Sequence, residues 1–305
     1  MKRILDCTAS DFKQMTGREL KDSIKAAEGR TLLAEVICAG APLYPAVTNA
    51  EMAAAFGADI ILLNFFDVFN PAVAGLSVKQ PESVVRTLKE YLGRPVGLNL
   101  EPVDVQAKQA ETLLELPQGR LATEETFRAA KELGFDFVCL TGNPKTGVTN
   151  AEIQKAIKTA CAVMGEETLI IAGKMHGAGV AGEAGEDIVS EADVLNFVEA
   201  GADVILLPSP GTVPGITLEG CKRMVNAVRK HGALSILATG TSQEGSDEAT
   251  IRQIALMSKM AGADMFHIGD AGYTGIAIPE NIMHYSIVIR GKRHTYVRMA
   301  ASVQR

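Results

Sequence analysis

The 305-residue sequence has no CxxC pair, no long apolar run and no block of like charge. Each absence removes a class of protein. The five cysteines (Cys7, Cys38, Cys139, Cys161 and Cys221) are scattered and odd in number. That suits reduced thiols, not a disulfide framework or a zinc site. No stretch approaches the ~18 apolar residues that span a bilayer. The opening "MKRILDCTASDFKQ" lacks the apolar core of a secretory signal. A cytoplasmic protein without a membrane partner is therefore expected. The net charge of −6 argues against a nucleic-acid partner. No GxGxxG follows the first apolar strand, which counts against a dinucleotide-binding open sheet.

The composition that is present, 47% hydrophobic and 22% charged, is that of a globular protein with material for a large core. Length alone would suggest two domains, but α/β barrels of this size form one. One triplet recurs. Gly57-Ala58-Asp59 precedes "IILLN", Gly201-Ala202-Asp203 precedes "VILLPSP" and Gly262-Ala263-Asp264 precedes "MFHIGD". Gly134-Phe135-Asp136 before "FVCLTGN" is a near-copy. Each follows a helical pattern, so the glycine reads as a helix stop and the aspartate as the start of a buried parallel strand. Four further apolar runs, at 32–38, 95–101, 168–174 and 234–240, fill the gaps. Eight strands alternating with helices predict a (β/α)8 TIM barrel over 1–305. Residues 1–30 read as an N-terminal helical extension, with a helix over 8–29 that covers the bottom. The connection at 102–122 is too long for an ordinary turn and is expected to fold over the top. The triplet aspartates fall on the bottom face, where residues serve stability.

Barrel chemistry sits at the C-terminal ends of the strands, and here those ends turn polar. Strand 5 ends in Lys174 and His176, strand 3 in Asn99 and Glu101, and Asn64, Asn143 and Asp270 close strands 2, 4 and 8. Alternation puts Ile170, Ala172, Lys174 and His176 on one face, and Gly97, Asn99 and Glu101 on another. If both faces point inward, Lys174, Glu101 and His176 converge as catalytic groups, with Lys174 as base or Schiff-base former. Asn64, Asn99, Asn143 and Asp270 then hold substrate. The glycine-rich segment 177–187 reads as a mobile lid over Lys174. Glu35, mid-strand, faces either the barrel or a helix. No cofactor is expected. Metal ligation by Glu35, Glu101 and His176 is open, but no spacing motif supports it.

The ends of strands 7 and 8, "ATGTSQEGS" and "HIGDAGYTGIAIPEN", offer glycines and helix-start amides to an anion. With Gly240, Thr241, Gly269, Ala271 and Gly272 placed there, the chain resembles the phosphate-binding TIM-barrel enzymes. Asp270 departs from the small residue usual in that pattern. The resemblance implies a lyase of aldolase type, or an isomerase, acting on a small anionic and phosphorylated carbonyl compound. A homo-oligomer is expected. The end of strand 2, "LLNFFDVFNP", is similar to the BtpA-like barrel proteins. That similarity implies the alternative of a non-catalytic barrel serving in ligand binding or assembly.

Overall fold

The recurring triplets build the barrel in pairs of strands. In a computed structural model covering residues 1–305, the strands are β1 (Thr31–Ile37), β2 (Ile60–Asn64), β3 (Val96–Leu100), β4 (Phe137–Leu140), β5 (Leu169–Gly173), β6 (Val204–Pro208), β7 (Leu234–Thr239) and β8 (Met265–Ile268). They pair in parallel and close in chain order. Each triplet aspartate stands just before an even-numbered strand and exchanges two hydrogen bonds with one residue of the strand before it. Asp59 Oδ2 accepts from Leu32 N at 2.8 Å while Asp59 N donates to Leu32 O. Asp136 repeats this with Val96, Asp203 with Ile170 and Asp264 with Ser235. A carboxylate that accepts a buried N–H at the open end of a sheet satisfies a donor that would otherwise be stranded. Gly134 and Gly201, at φ 84° and 109°, stop the preceding helices in the left-handed region.

These rings fix which side chains face the barrel axis. The ring partners Leu32, Val96 and Ile170 pack outward, in the layer shared with the helices. Their neighbours Leu33, Gly97 and Leu169 therefore face inward. The inner core runs through Leu33, Leu62, Phe137, Ile171, Leu206, Ile236 and Met265. Gly97 makes room for the Phe137 ring, which a Cβ there would meet at about 2.4 Å.

The helices are α1 (Ala9–Phe12), α2 (Gly17–Lys25), α3 (Asn49–Ala55), α4 (Val84–Leu92), α5 (Glu124–Leu133), α6 (Asn150–Met164), α7 (Glu191–Ala200), α8 (Leu218–Lys230), α9 (Glu248–Ala261) and α10 (Pro279–Ala300). The single helix expected over 8–29 is two, because Thr16 and Glu19 form a capping box that starts α2 afresh. Leu20 and Ile24 of α2, with Ile4 and Phe12, plug the bottom of the inner core. α10 kinks at Gly291, at φ 76°. Before the kink Arg290 reaches Asp59, and after it Arg298 reaches the same carboxylate and the carbonyls of Ile4 and Cys7. No helix is long and apolar enough to cross a membrane.

Candidate active site

Inward-facing polar residues at the strand tops enclose a cavity of about 440 Å³. β1 contributes Glu35, which follows Leu33 on the inner face. β8 adds His267, which follows Met265 on the inner face and lies outside the cavity lining. The His267 Nε2 and Glu35 Oε2 atoms lie 3.0 Å apart, with His267 completely buried. β2, β3 and the segment after β4 contribute a triad of amides. Asn64 and Asn143 exchange side-chain hydrogen bonds of 2.8 and 3.0 Å, and Asn99 Nδ2 donates to Asn64 Oδ1 at 3.3 Å. Asn64 Nδ2 also donates to Asp270 Oδ2 at 3.0 Å. The triad leaves Asn99 Oδ1 without a partner, and beside it Thr141 Oγ1 is also unpartnered. Buried polar atoms of this kind are where a ligand restores the missing bonds.

Charge in the cavity is one-sided. Glu35, Glu111, Glu244 and Asp270 line it, and no lysine or arginine does. Burial pushes the Asp270 carboxyl up, and the negative charge of Glu35 adds to this, so it titrates at about 7. Burial likewise raises the Glu244 carboxyl. His176 lines the cavity, and burial, helped by the charge of Lys174, lowers its imidazole to about 4. The ring is therefore neutral at pH 7. Its Nδ1 accepts from Ala178 N at 3.1 Å, so the proton sits on Nε2.

Three expectations need correction. Lys174 does not reach the cavity. Ile170 and Ala172 belong to the outer layer and Leu169 and Ile171 to the inner one, so the face assigned to Lys174 is the wrong one by a single residue. Lys174 is 1% exposed, with Nζ at 2.5 Å from Glu183 Oε2 and 2.9 Å from Val148 O. Burial lowers its pKa while Glu183 opposes the shift. Its work is to tie the segment after β5 to the strand. That segment is also stitched to the 102–122 connection through Ala110 N to Gly179 O and Ala181 N to Lys108 O, so it is fastened at both sides.

Glu101, second, is turned away from His176. Its Oε1 pairs with Arg120 at 2.5 Å and its Oε2 accepts from Asn143 N at 3.0 Å. Arg120 in turn lies over the Phe65 ring at 4.2 Å. Glu101 positions Asn143, and the convergence of Lys174, Glu101 and His176 does not occur. The same displacement parts Glu35, Glu101 and His176 as metal ligands, and no three His, Cys, Asp or Glu side chains gather as a metal-holding group.

The third correction concerns the phosphate cradle. Gly240, Thr241, Gly269 and Ala271 do border the cavity, while Gly272 does not line it. The Gly269 amide, however, is committed to Thr239 O at 2.9 Å. The Ala271 amide donates to Glu244 Oε1 at 3.0 Å. Thr241 Oγ1 turns to the carbonyls of Thr212 and Gly240. A carboxylate of the chain itself stands where the anion was expected. Glu244 was not legible as a site residue because it lies in a single 3-10 turn, Gln243–Gly245, too short for any periodicity to point to it. Glu35 and His267 were within reach of the sequence, through the parity that the aspartate rings impose.

The fold and this mouth define a (β/α)8 barrel with an acidic, amide-lined cavity at the C-terminal ends of its strands. Residues 5–305 match the family described as a domain of unknown function, DUF7916, and the chain belongs to that family. No curated protein matches its sequence. Among solved structures it is similar to 2,3-dimethylmalate lyase, a PEP mutase/isocitrate lyase superfamily member, at 13% identity and a TM-score of 0.50 over 86% of this chain and 82% of that one. It is similar to the carboxyl transferase domain of Rhizobium etli pyruvate carboxylase with pyruvate, at 13% identity and 0.54 over 98% of this chain and 52% of that one. The complete Rhizobium etli enzyme matches at 14% identity and 0.54, and the chain spans 30% of its length. At these identities the likeness shows the barrel fold alone.

Proposed function

We propose that the barrel mouth is the active site of an acid–base enzyme, an isomerase or lyase, acting on a small hydroxylated carbonyl compound. The observation that carries this reading is Asp270. Its carboxyl titrates at about 7, so near neutrality the acid and base forms coexist and either direction of proton transfer is open. As carboxylate, Asp270 takes a proton from the carbon next to the carbonyl. The neutral His176 donates its Nε2 proton in a hydrogen bond to the carbonyl oxygen, where negative charge develops. The amides of Asn64, Asn99 and Asn143, with Thr141, bind hydroxyls and hold the substrate in register. Asp270 then returns the proton to the same carbon, or to the former carbonyl carbon once the neighbouring hydroxyl has passed its proton to the former carbonyl oxygen.

The test is solvent isotope exchange. Unphosphorylated aldoses, ketoses and hydroxyketones are incubated with the protein in D2O and followed by proton NMR. Exchange at the position beside the carbonyl is expected for at least one compound. Its rate should fall by about 10² or more in Asp270→Asn. Undiminished exchange in that variant removes Asp270 from the mechanism. No exchange with any compound favours a ligand-binding barrel without chemistry.

A further inference from the structure

We infer that Glu244 is a specificity-determining residue: its carboxylate fills the anion corner above β7 and β8, so the ligand is a small compound without a phosphate that presents a hydroxyl or ammonium donor to Glu244 Oε2. The inference deepens the acid–base reading, and it rests on that reading only where it calls the ligand a substrate.

Barrels commonly bind a phosphate at this corner through loop amides that follow the last two strands. Here one such amide, Ala271 N, is taken by Glu244 Oε1 at 3.0 Å. The fit is close, since a Cβ on Gly269 would lie 2.7 Å from the same oxygen. Glu244 is 2% exposed, and burying a carboxylate is costly unless something compensates it. The chain nevertheless directs it inward. Thr241 and Ser242 just before it take left-handed conformations, at φ 56° and 72°, which non-glycine residues rarely adopt. Asn281 Nδ2 holds the turn from behind, donating to Glu244 O at 2.9 Å and Ser246 O at 2.8 Å. Backbone strain and carboxylate burial at one point of a cavity mark a use. The second oxygen, Oε2, has no partner. A dianionic phosphate there would face Glu244 and Asp270 with no lysine or arginine in the wall. A hydroxyl or an ammonium would instead complete the bonding of Oε2.

Amide NMR tests this without turnover. Inorganic phosphate, glycerol and serinol are titrated separately into the wild-type protein, and the Ala271 and Gly269 amides are followed. Phosphate is expected to give no saturable shift at millimolar concentrations. Saturation by glycerol identifies the donor as hydroxyl, and saturation by serinol alone identifies it as ammonium. Glu244→Ala frees the Ala271 amide and should bind phosphate at least about tenfold more tightly than the wild type. A saturable phosphate shift in the wild type overturns the inference, as does a folded Glu244→Ala protein with no gain. If Glu244→Ala does not fold, the wild-type titrations decide. Phosphate silence with glycerol or serinol saturation upholds the inference, and silence from all three overturns it. None of these readouts requires proton exchange, so a failure of the acid–base reading is seen separately.

Discussion

Asp59 at the bottom of the barrel is fully buried and Asp270 at its mouth is partly buried, and their carboxyls are driven in opposite directions. Burial alone would raise both. At Asp59 the charges of Arg290 and Arg298 outweigh burial and hold the carboxyl below its ordinary range. At Asp270 the strongest charge effect is that of Glu35, of the same sign, and the hydrogen bond from Asn64 opposes it only in part. Desolvation is thus common to the two ends, and the sign of the neighbours decides the outcome. The bottom surrounds one acid with Arg94, Arg290 and Arg298, whose other donors end on backbone carbonyls and, for Arg290 Nε, on Ser286 Oγ at 2.9 Å. Such a cluster is a fastening: it joins α10 to the plug and to β2. The mouth gathers acids without strong cations, an arrangement that costs stability and keeps a proton available.

The largest way to break the contrast is at the bottom. Arg290→Met leaves Asp59, fully buried, with one ion pair in place of two. Removing one partner of a buried pair is expected to cost about 3–5 kcal/mol. Urea denaturation should show this as a fall in the midpoint. The sign with pH follows from the lowered carboxyl. Its contribution is present above the unfolded pKa near 3.8 and is lost as pH falls through the folded value. Acid should therefore unfold the wild type more steeply than Arg290→Met. A variant as stable as the wild type would show the cluster to be redundant.

The mouth should respond in the opposite sense. Asp270 has a raised pKa, so the folded protein holds its proton more firmly than the unfolded chain does. Stability from this group is full below about 4 and declines as pH rises through about 7. Asp270→Asn has no charge to bury, and at pH 8 it should be more stable than the wild type by about 1–3 kcal/mol. Denaturation of both proteins at pH 5 and pH 8 checks this, with the two curves approaching each other at the lower pH. A variant less stable at pH 8 would mean that Asp270 is structural.

Lys174 offers a smaller test of where the chemistry stops. Lys174→Met leaves Glu183 unpaired, but Glu183 is partly open to solvent and relieves its own charge there. The expected loss is about 1–2 kcal/mol, less than for a fully buried pair. Amides of residues 177–183 should exchange faster with solvent. The Asp270 titration should stay in place. Loss of proton exchange activity with no faster amide exchange would return Lys174 to the mechanism.

The sequence made the barrel legible because four Gly-x-Asp triplets mark helix stop, strand start and chain direction at once. Asn64, Asn99, Asn143 and Asp270 were legible for a different reason: they are polar residues at the ends of apolar runs, and the structure brings them together. What failed was parity. Alternation shows which residues share a face but leaves open which face is inside. For β5 the choice fell the wrong way and carried Lys174 with it. The aspartate rings hold the missing information, since each marks one outward residue per pair of strands. Applied to β1 and β8, they bring Glu35 and His267 to the axis. Glu244 had no such marker. Its position depends on two left-handed residues and an anchor from Asn281, which are properties of the folded loop.

The finest test separates the two acids that raise Asp270. Glu35 acts more strongly on it than Glu244 does, and both act by charge. Glu35→Gln keeps the shape and removes the charge, so the Asp270 midpoint should move down from about 7, by up to about one unit. Glu244→Gln should move it in the same direction and by less. Carboxyl carbon NMR on each variant reads the midpoint directly. The direction matters more than the size. A lower midpoint means more Asp270 in the base form at pH 7, so proton exchange limited by the base should reach its plateau at lower pH in Glu35→Gln. His267 also exchanges its carboxylate partner for a neutral amide in that variant, and a change in exchange rate alone would not separate the two effects. The midpoint does separate them. If it holds at about 7 after Glu35→Gln, burial by itself sets the Asp270 proton, and the one-sided charge of the mouth serves ligand selection only.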